Sequence, residues 1–137
     1  MKKVRTKKGR FVLRPASLAD YWRLYIDVFS IAASLSYPEE LFRSAAEAGV
    51  NAVFVIDAWH ESHIPLARRY LEYCRRYGLD CRLSESKPAE IYAAELCEAE
   101  CAGGCAVVTR DYDAALHAGK CTVLLFQGGR FWAVAKT

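Results

Sequence analysis

The sequence predicts an α/β protein: a three-layer α/β/α sandwich around a central, mostly parallel sheet, ending in a C-terminal hairpin. Three observations lead there. The apolar runs "AVFVID" and "CAVVT" have the length and continuity of strands buried on both faces. Segments with helical periodicity alternate with these runs, which implies parallel pairing through right-handed crossovers. The closing runs "CTVLLF" and "RFWAVA" flank Gly128-Gly129, the pattern of a hairpin.

Met1 to Arg10 holds Lys2, Lys3, Arg5, Lys7, Lys8 and Arg10 with no acid, and is expected to be a basic disordered tail. Residues 11–137 then form a single domain. Arg10 to Pro15 reads as a short strand, "RLYI" as a strand ending on Asp27, and "VFSIAASL" as a helix. Pro38 opens a second helix with Glu39 and Glu40 in its first turn and Gly49 as its stop. "AVFVID" is the second core strand and ends on Asp57. Leu66, Tyr70, Tyr73, Cys74 and Tyr77 form the apolar stripe of a third helix, with Arg68, Arg69, Glu72, Arg75 and Arg76 opposite and Gly78 as its stop. "DCRL" is a strand, Pro88 to Cys101 a helix, "CAVVT" a strand and Tyr112 to Ala118 a short helix.

Composition bounds the function. An apolar content of 53% with 26% charged residues suits a soluble globular domain. No run approaches a membrane span and no secretory signal is present, so no membrane partner and a cytoplasmic, intracellular setting are expected. Of 19 basic residues six lie in the first ten, leaving a body with 13 basic against 16 acidic residues. A basic segment on a mildly acidic body suits nucleic acid as well as it suits a solvated end. The sequence is compatible with a homodimer. Cys97, Cys101 and Cys105 recur every fourth residue, but Gly103-Gly104 interrupts the spacing and no CxxC pair exists, so a zinc or iron–sulfur site is not expected. Small buried thiols are the expectation for the six cysteines, with one or two disulfides left open.

The acids carry the chemistry. Asp27 and Asp57 each end a strand run, and Asp111 and Asp113 begin just after a third. In open α/β sheets the site lies beyond the carboxyl ends of the strands, where strand order reverses. At roughly 100° per residue Glu90 shares a helix face with Ala93, Ala94, Cys97 and Cys101. That small-residue face packs on the sheet and aims Glu90 inward, whereas Glu95, Glu98 and Glu100 are expected elsewhere. Crowded carboxylates repel unless a cation sits among them. An all-oxygen set selects Mg²⁺ or Mn²⁺, the apparatus of phosphodiester hydrolysis. Individually, Asp57 and Asp111 also suit helix caps.

"YIDVFSIAAS", "VFVIDA", "SKPAEIYAAELC" and "VVTRDYDAALHAG", in this order and spacing, resemble the PIN-like nuclease domain, most closely its flap-endonuclease branch. There an Asp ends the first strand, "VFD" the second, a "PSEAEA"-type helix start follows, and "DxD" comes after a later strand. The likeness covers roughly residues 22–126. It implies a core sheet order of 3-2-1-4-5, metal-binding roles for Asp27, Asp57, Glu90, Asp111 and Asp113, and a nucleic-acid substrate, DNA or RNA. On this reading Asp27, Glu90 and Asp111 hold the main ion, and Asp57 and Asp113 hold a second or order water. The chain departs from that pattern in having one acid, Glu90, where "PSEAEA" has two. The stretch from Asp57 to Leu66 is also too short for a helical arch, and no helix-hairpin-helix module is expected after the sheet.

Arg68, Arg69, Lys87, Lys7 and Lys8 are the candidates for gripping phosphate, and Trp59 for stacking on a base. Trp22 and Trp132 are expected in the core. His60 and His63 have no third ligand nearby and read as a loop entry. Two rival readings stand beside the nuclease: a non-catalytic PIN-like domain that binds nucleic acid or protein through a degenerate metal site, and an unrelated α/β domain whose acids are caps.

Overall fold

The computed structural model describes residues 1–137 and contains one eight-stranded mixed sheet with five α-helices. In chain order the elements are β1 (Lys2–Thr6), β2 (Gly9–Ala16), β3 (Arg23–Asp27), α1 (Val28–Ala32), α2 (Glu39–Ala48), β4 (Ala52–Asp57), α3 (Ile64–Tyr77), β5 (Asp80–Ser84), α4 (Ala89–Glu100), β6 (Cys105–Thr109), α5 (Asp113–His117), β7 (Thr122–Gln127) and β8 (Arg130–Lys136). Short 3-10 turns precede β3 and α3. No helix is long and apolar enough to cross a membrane.

The chain starts its parallel sheet in the middle. β3 pairs in parallel with β4 on one side and β6 on the other, and β5 and β7 extend the two flanks. The parallel strands therefore lie in the order β5-β4-β3-β6-β7, or 3-2-1-4-5 counted along the parallel strands. Right-handed crossovers that leave in opposite directions put their helices on opposite faces. The connections from β3 to β5 carry α1, α2 and α3 on one face; the return to β6 carries α4 on the other.

Each face buries its own core. Phe42 of α2 stacks on Phe54 of β4 and on Tyr70 of α3, with ring centroids 5.3 and 5.8 Å apart. On the opposite face Ala89, Ala93, Ala94 and Cys97 of α4 are fully buried against Tyr25, Val53, Val55, Val107 and Val123. Such short side chains let the helix lie close to the sheet, which fixes where its first turn ends. Gly49 and Gly78 close α2 and α3 in left-handed conformation, as their positions in the sequence predict. Along α3 the buried stripe is Ala67, Tyr70 and Cys74, and Leu66, expected on it, is exposed.

Three expectations are corrected. The basic N-terminus is not a disordered tail: β1 and β2 form an antiparallel hairpin, and β2 pairs with β8, which extends the sheet beyond β7. Phe11 and Leu13, on one face of β2, are buried and supply the apolar anchorage that a free tail lacks. All six cysteines are paired, as Cys74–Cys81, Cys97–Cys121 and Cys101–Cys105. Each bridge ties a helix or its end to a strand or the residue before one: α3 to β5, α4 to the entry of β7, and the end of α4 to β6, at Cα separations of 6.3 to 6.4 Å. Disulfides at this density persist in oxidising compartments and in hyperthermophile cells. Trp22 lies at the surface rather than in the core, its indole N–H donating to the Gly103 carbonyl at 2.6 Å.

The Cys97–Cys121 bridge closes a sequence separation of 24 residues. Its removal by a double substitution to alanine is expected to lower the unfolding free energy of the oxidised protein by about 3 kcal/mol. Urea unfolding checks this, and an unchanged midpoint contradicts it.

Candidate metal centre

The two edges of the parallel sheet treat charge differently. At the amino edge Asp80 and Glu100 each meet arginines. Arg82 donates to Asp80 at 2.9 Å and to Glu100 at 3.0 Å, Arg23 lies 3.9 to 4.0 Å from the same two carboxylates, and the Tyr25 hydroxyl donates to Glu100. Arg82 accordingly holds Asp80 below the usual carboxylate range. At the carboxyl edge no arginine plays that part. Asp27, Asp57 and Glu90 form no salt bridge at all.

Asp27 sits at the switch point. It ends β3 between two parallel neighbours and is 2% exposed. Thr109, the last residue of the adjacent β6, donates its hydroxyl to Asp27 Oδ2 at 2.8 Å. Oδ1 is buried and has no partner. Burial, reinforced by the charges of Glu90 and Asp57 and opposed by the Thr109 hydroxyl and the Ser30 backbone N–H, raises the pKa of Asp27 to about 7. A buried carboxylate oxygen without a partner is costly unless a proton, a water or a cation meets it.

Asp57 joins by a different route. Its Oδ1 accepts from the backbone N–H of Ala89 at 2.9 Å and from the Trp59 indole at 2.8 Å. The cap predicted for Asp57 is real, but it belongs to α4, a helix that begins 32 residues downstream. Only one oxygen is spent on it, and the same bond fixes the helix start that carries Glu90. Glu90 is half-buried, and burial together with Asp111, Asp57 and Asp113 raises its pKa.

Asp111 and Asp113 follow β6. Asp111 Oδ1 accepts from the Asp113 N–H at 2.9 Å, and the Thr109 hydroxyl accepts from the Asp111 N–H at 3.1 Å. Thr109 thus ties the Asp111 turn to Asp27. One carboxylate oxygen from each of Glu90, Asp111 and Asp113 lies within 4.8 Å of the other two. All five acids read from the sequence therefore lie at one edge: three close together, with Asp27 and Asp57 felt electrostatically by the group. The donors are all oxygen.

The remaining acids of α4 are elsewhere, as their helical angles require. Glu95 pairs with Lys87 at 2.7 Å, Glu98 accepts from the Lys120 backbone, and Glu100 belongs to the amino-edge network. Lys87, expected to face phosphate, is held by Glu95. Arg68 and Arg69 are exposed and form no ion pair, as does Lys7 in the β1–β2 turn. His60 and His63 cap the turn into α3: the His60 ring accepts from the Ser62 N–H and the His63 ring from the His60 N–H. Trp59 is partly exposed beside Asp57, edge-on to His63 with centroids 4.8 Å apart.

Lys8 departs most from expectation. Its ammonium lies 2.8 Å from Asp111 Oδ1 and 2.8 Å from Asp113 Oδ2. The two contacts raise the Lys8 pKa. It is the only basic side chain at the cluster, and the sequence separation of 103 residues hides it from any local reading.

No protein-family model and no curated relative matches this sequence. Solved structures do match by fold. A mutant of the T5 5'-exonuclease aligns over 80% of this chain and 52% of its own, with a TM-score of 0.57 and 13% identity. The T5 D15 protein co-crystallised with metal ions aligns over 80% of this chain and 56% of its own, at 0.52 and 11%. The Holliday junction-resolving enzyme GEN1, in complex with product DNA and Mg²⁺, aligns over 83% of this chain and 32% of its own, at 0.54 and 18%. The fold is the PIN-like fold of these nucleases, and the chain spans from a third to just over half of their length.

Stability should report the Asp27 environment. The native carboxyl keeps its proton to about pH 7, whereas the unfolded chain releases it near 3.8. Between those values the native state binds more protons, so stability falls as pH rises. Asp27→Asn removes that loss. Without divalent ions, chemical denaturation is expected to show the variant gaining on the parent from pH 4 to 7, by up to about 4 kcal/mol. A gap that does not depend on pH contradicts the assignment.

Proposed function

We propose that this domain is a nuclease that hydrolyses phosphodiester bonds of DNA or RNA with a divalent ion, Mg²⁺ or Mn²⁺. The observation that carries the reading is the orphaned, buried Oδ1 of Asp27 at the switch point, beside carboxylates delivered by β4, α4 and the turn after β6. Asp27, Glu90 and Asp111 are the ligands of the main ion, with Asp57 and Asp113 completing its surroundings. A bound ion supplies Lewis-acid chemistry, the activation of water and the stabilisation of a leaving oxygen.

The chain's own residues do the rest. Thr109 orients Asp27 and the Asp111 turn through one hydroxyl. Asp57 holds the start of α4, and with it Glu90, in register with the strand ends. Arg68 and Arg69, one turn beyond the metal edge, and Lys7 carry charge not engaged by protein carboxylates and suit phosphate backbone. Trp59 offers an aromatic face for stacking. The three structural neighbours are a 5'-exonuclease, a protein crystallised with metal ions and a junction-resolving enzyme bound to product DNA, which supports the same class of substrate.

A second reading, a binding domain that keeps the fold with a degenerate metal site, draws on the pairing of Lys8 with Asp111 and Asp113. Purified protein incubated with Mn²⁺ and single-stranded DNA, flap DNA and RNA separates the two. The nuclease reading expects cleavage of at least one substrate and a loss of at least roughly 100-fold in Asp111→Asn, since even partners behind a ligand cost 10- to 100-fold. Cleavage equal in parent and variant, or none on any substrate, selects the binding domain.

A further inference from the structure

We propose that Lys8 is the second cation of this site: its ammonium occupies the Asp111–Asp113 position that a second divalent ion would fill, so that the protein takes one divalent ion per chain. The inference rests on the metal-site reading above and specifies its stoichiometry.

The hairpin is built to hold that lysine in place. Lys8 lies in the tight β1–β2 turn, where its backbone N–H donates to the Thr6 hydroxyl at 3.1 Å and the same hydroxyl donates to the Gly9 carbonyl at 3.3 Å. Gly9 has φ of 133°, a conformation that favours glycine and fixes the turn. Three residues on, Phe11 packs on Tyr112 with centroids 4.7 Å apart. Tyr112 lies between the two aspartates that Lys8 bridges. The hairpin therefore clamps the "DYD" segment twice, once by ring contact and once by charge.

The selection among basic residues is sharp. Lys2, Lys3, Arg5, Lys7 and Arg10 surround Lys8 in the sequence, and none pairs with an acid. A half-exposed ion pair contributes little to stability, so a solvated surface explains neither the symmetric contacts nor the double clamp. Charge gives the reason. Five carboxylates at one edge need more than one divalent ion to balance them, and an ion bound by Asp27, Glu90 and Asp111 Oδ2 leaves Asp111 Oδ1 and Asp113, the atoms Lys8 contacts, without a counter-charge. One ammonium offsets part of that remaining charge without a second dehydration. It has three N–H donors, of which the aspartates take two; the third remains for an anionic oxygen of the substrate. Lys8 so placed is a fixed positive centre beside the ion.

The test is isothermal titration with Mn²⁺ alone on the full chain, paired with Mn²⁺ electron paramagnetic resonance, for the parent, Lys8→Met and Lys8→Arg. Thermal melts confirm that the variants are folded; the Phe11–Tyr112 contact is untouched by either change. One ion in the parent, two in Lys8→Met with a spin-coupled signal, and one in Lys8→Arg are the expected results. Two ions in the parent, or one in both the parent and Lys8→Met, overturn the proposal while leaving the metal site standing. Binding only after removal of Lys8 also overturns it, because the lysine would then exclude the ion. No binding by any form overturns both this proposal and the reading beneath it.

Discussion

The structure depends on one buried carboxyl group, Asp27. Asp27 is carried into the interior because β3 lies between two parallel neighbours and its last residue cannot reach water. One of its oxygens accepts from Thr109, and the other has no hydrogen bond of ordinary geometry, with the Ser30 backbone N–H its nearest relief. Burying a carboxylate in this way is costly unless it stays protonated or a cation compensates it. The fold keeps that cost at its topological centre, and the other acids are arranged around it rather than away from it. At the amino edge, by contrast, Asp80 and Glu100 are met by Arg23 and Arg82.

Local structure and site are coupled through shared bonds. Asp57 caps α4 and thereby sets the height of Glu90 above the sheet, and the small-residue face of α4 sets its distance. Thr109 binds Asp27 and the turn that presents Asp111. A carboxylate has two oxygens, so the cap on Asp57 Oδ1 leaves its other oxygen free for a second role. The opposition between a cap and a metal site, sound for a single aspartate in isolation, dissolves once the second oxygen is counted.

Much of this was legible in the residues. The parallel strands are continuous apolar runs, so their ends, and hence Asp27, Asp57 and Asp111, could be located to the residue. Helical angle alone separates Glu90 from Glu95, Glu98 and Glu100. What sequence could not show was pairing over distance. The alternation in β1 is hidden by its charge, and its role emerges only because β2 pairs with β8 at the other end of the chain. The cysteine spacing showed burial but not partners. Trp22 lies at the surface because its ring fits over Gly104, whose missing side chain leaves the room: a Cβ there would sit 2.7 Å from the indole. Lys8 was one lysine among several until the hairpin turn brought it to Asp111.

The central claim is that Asp27 is an ion ligand held ready by burial. A crystal structure of the protein grown with Mn²⁺, read by anomalous scattering, tests it most directly. The account predicts an ion at roughly 2.0 to 2.6 Å from Asp27 Oδ1, with Glu90 and Asp111 in the same coordination sphere. An ion bound elsewhere, or a carboxyl edge without one at saturating Mn²⁺, would contradict it.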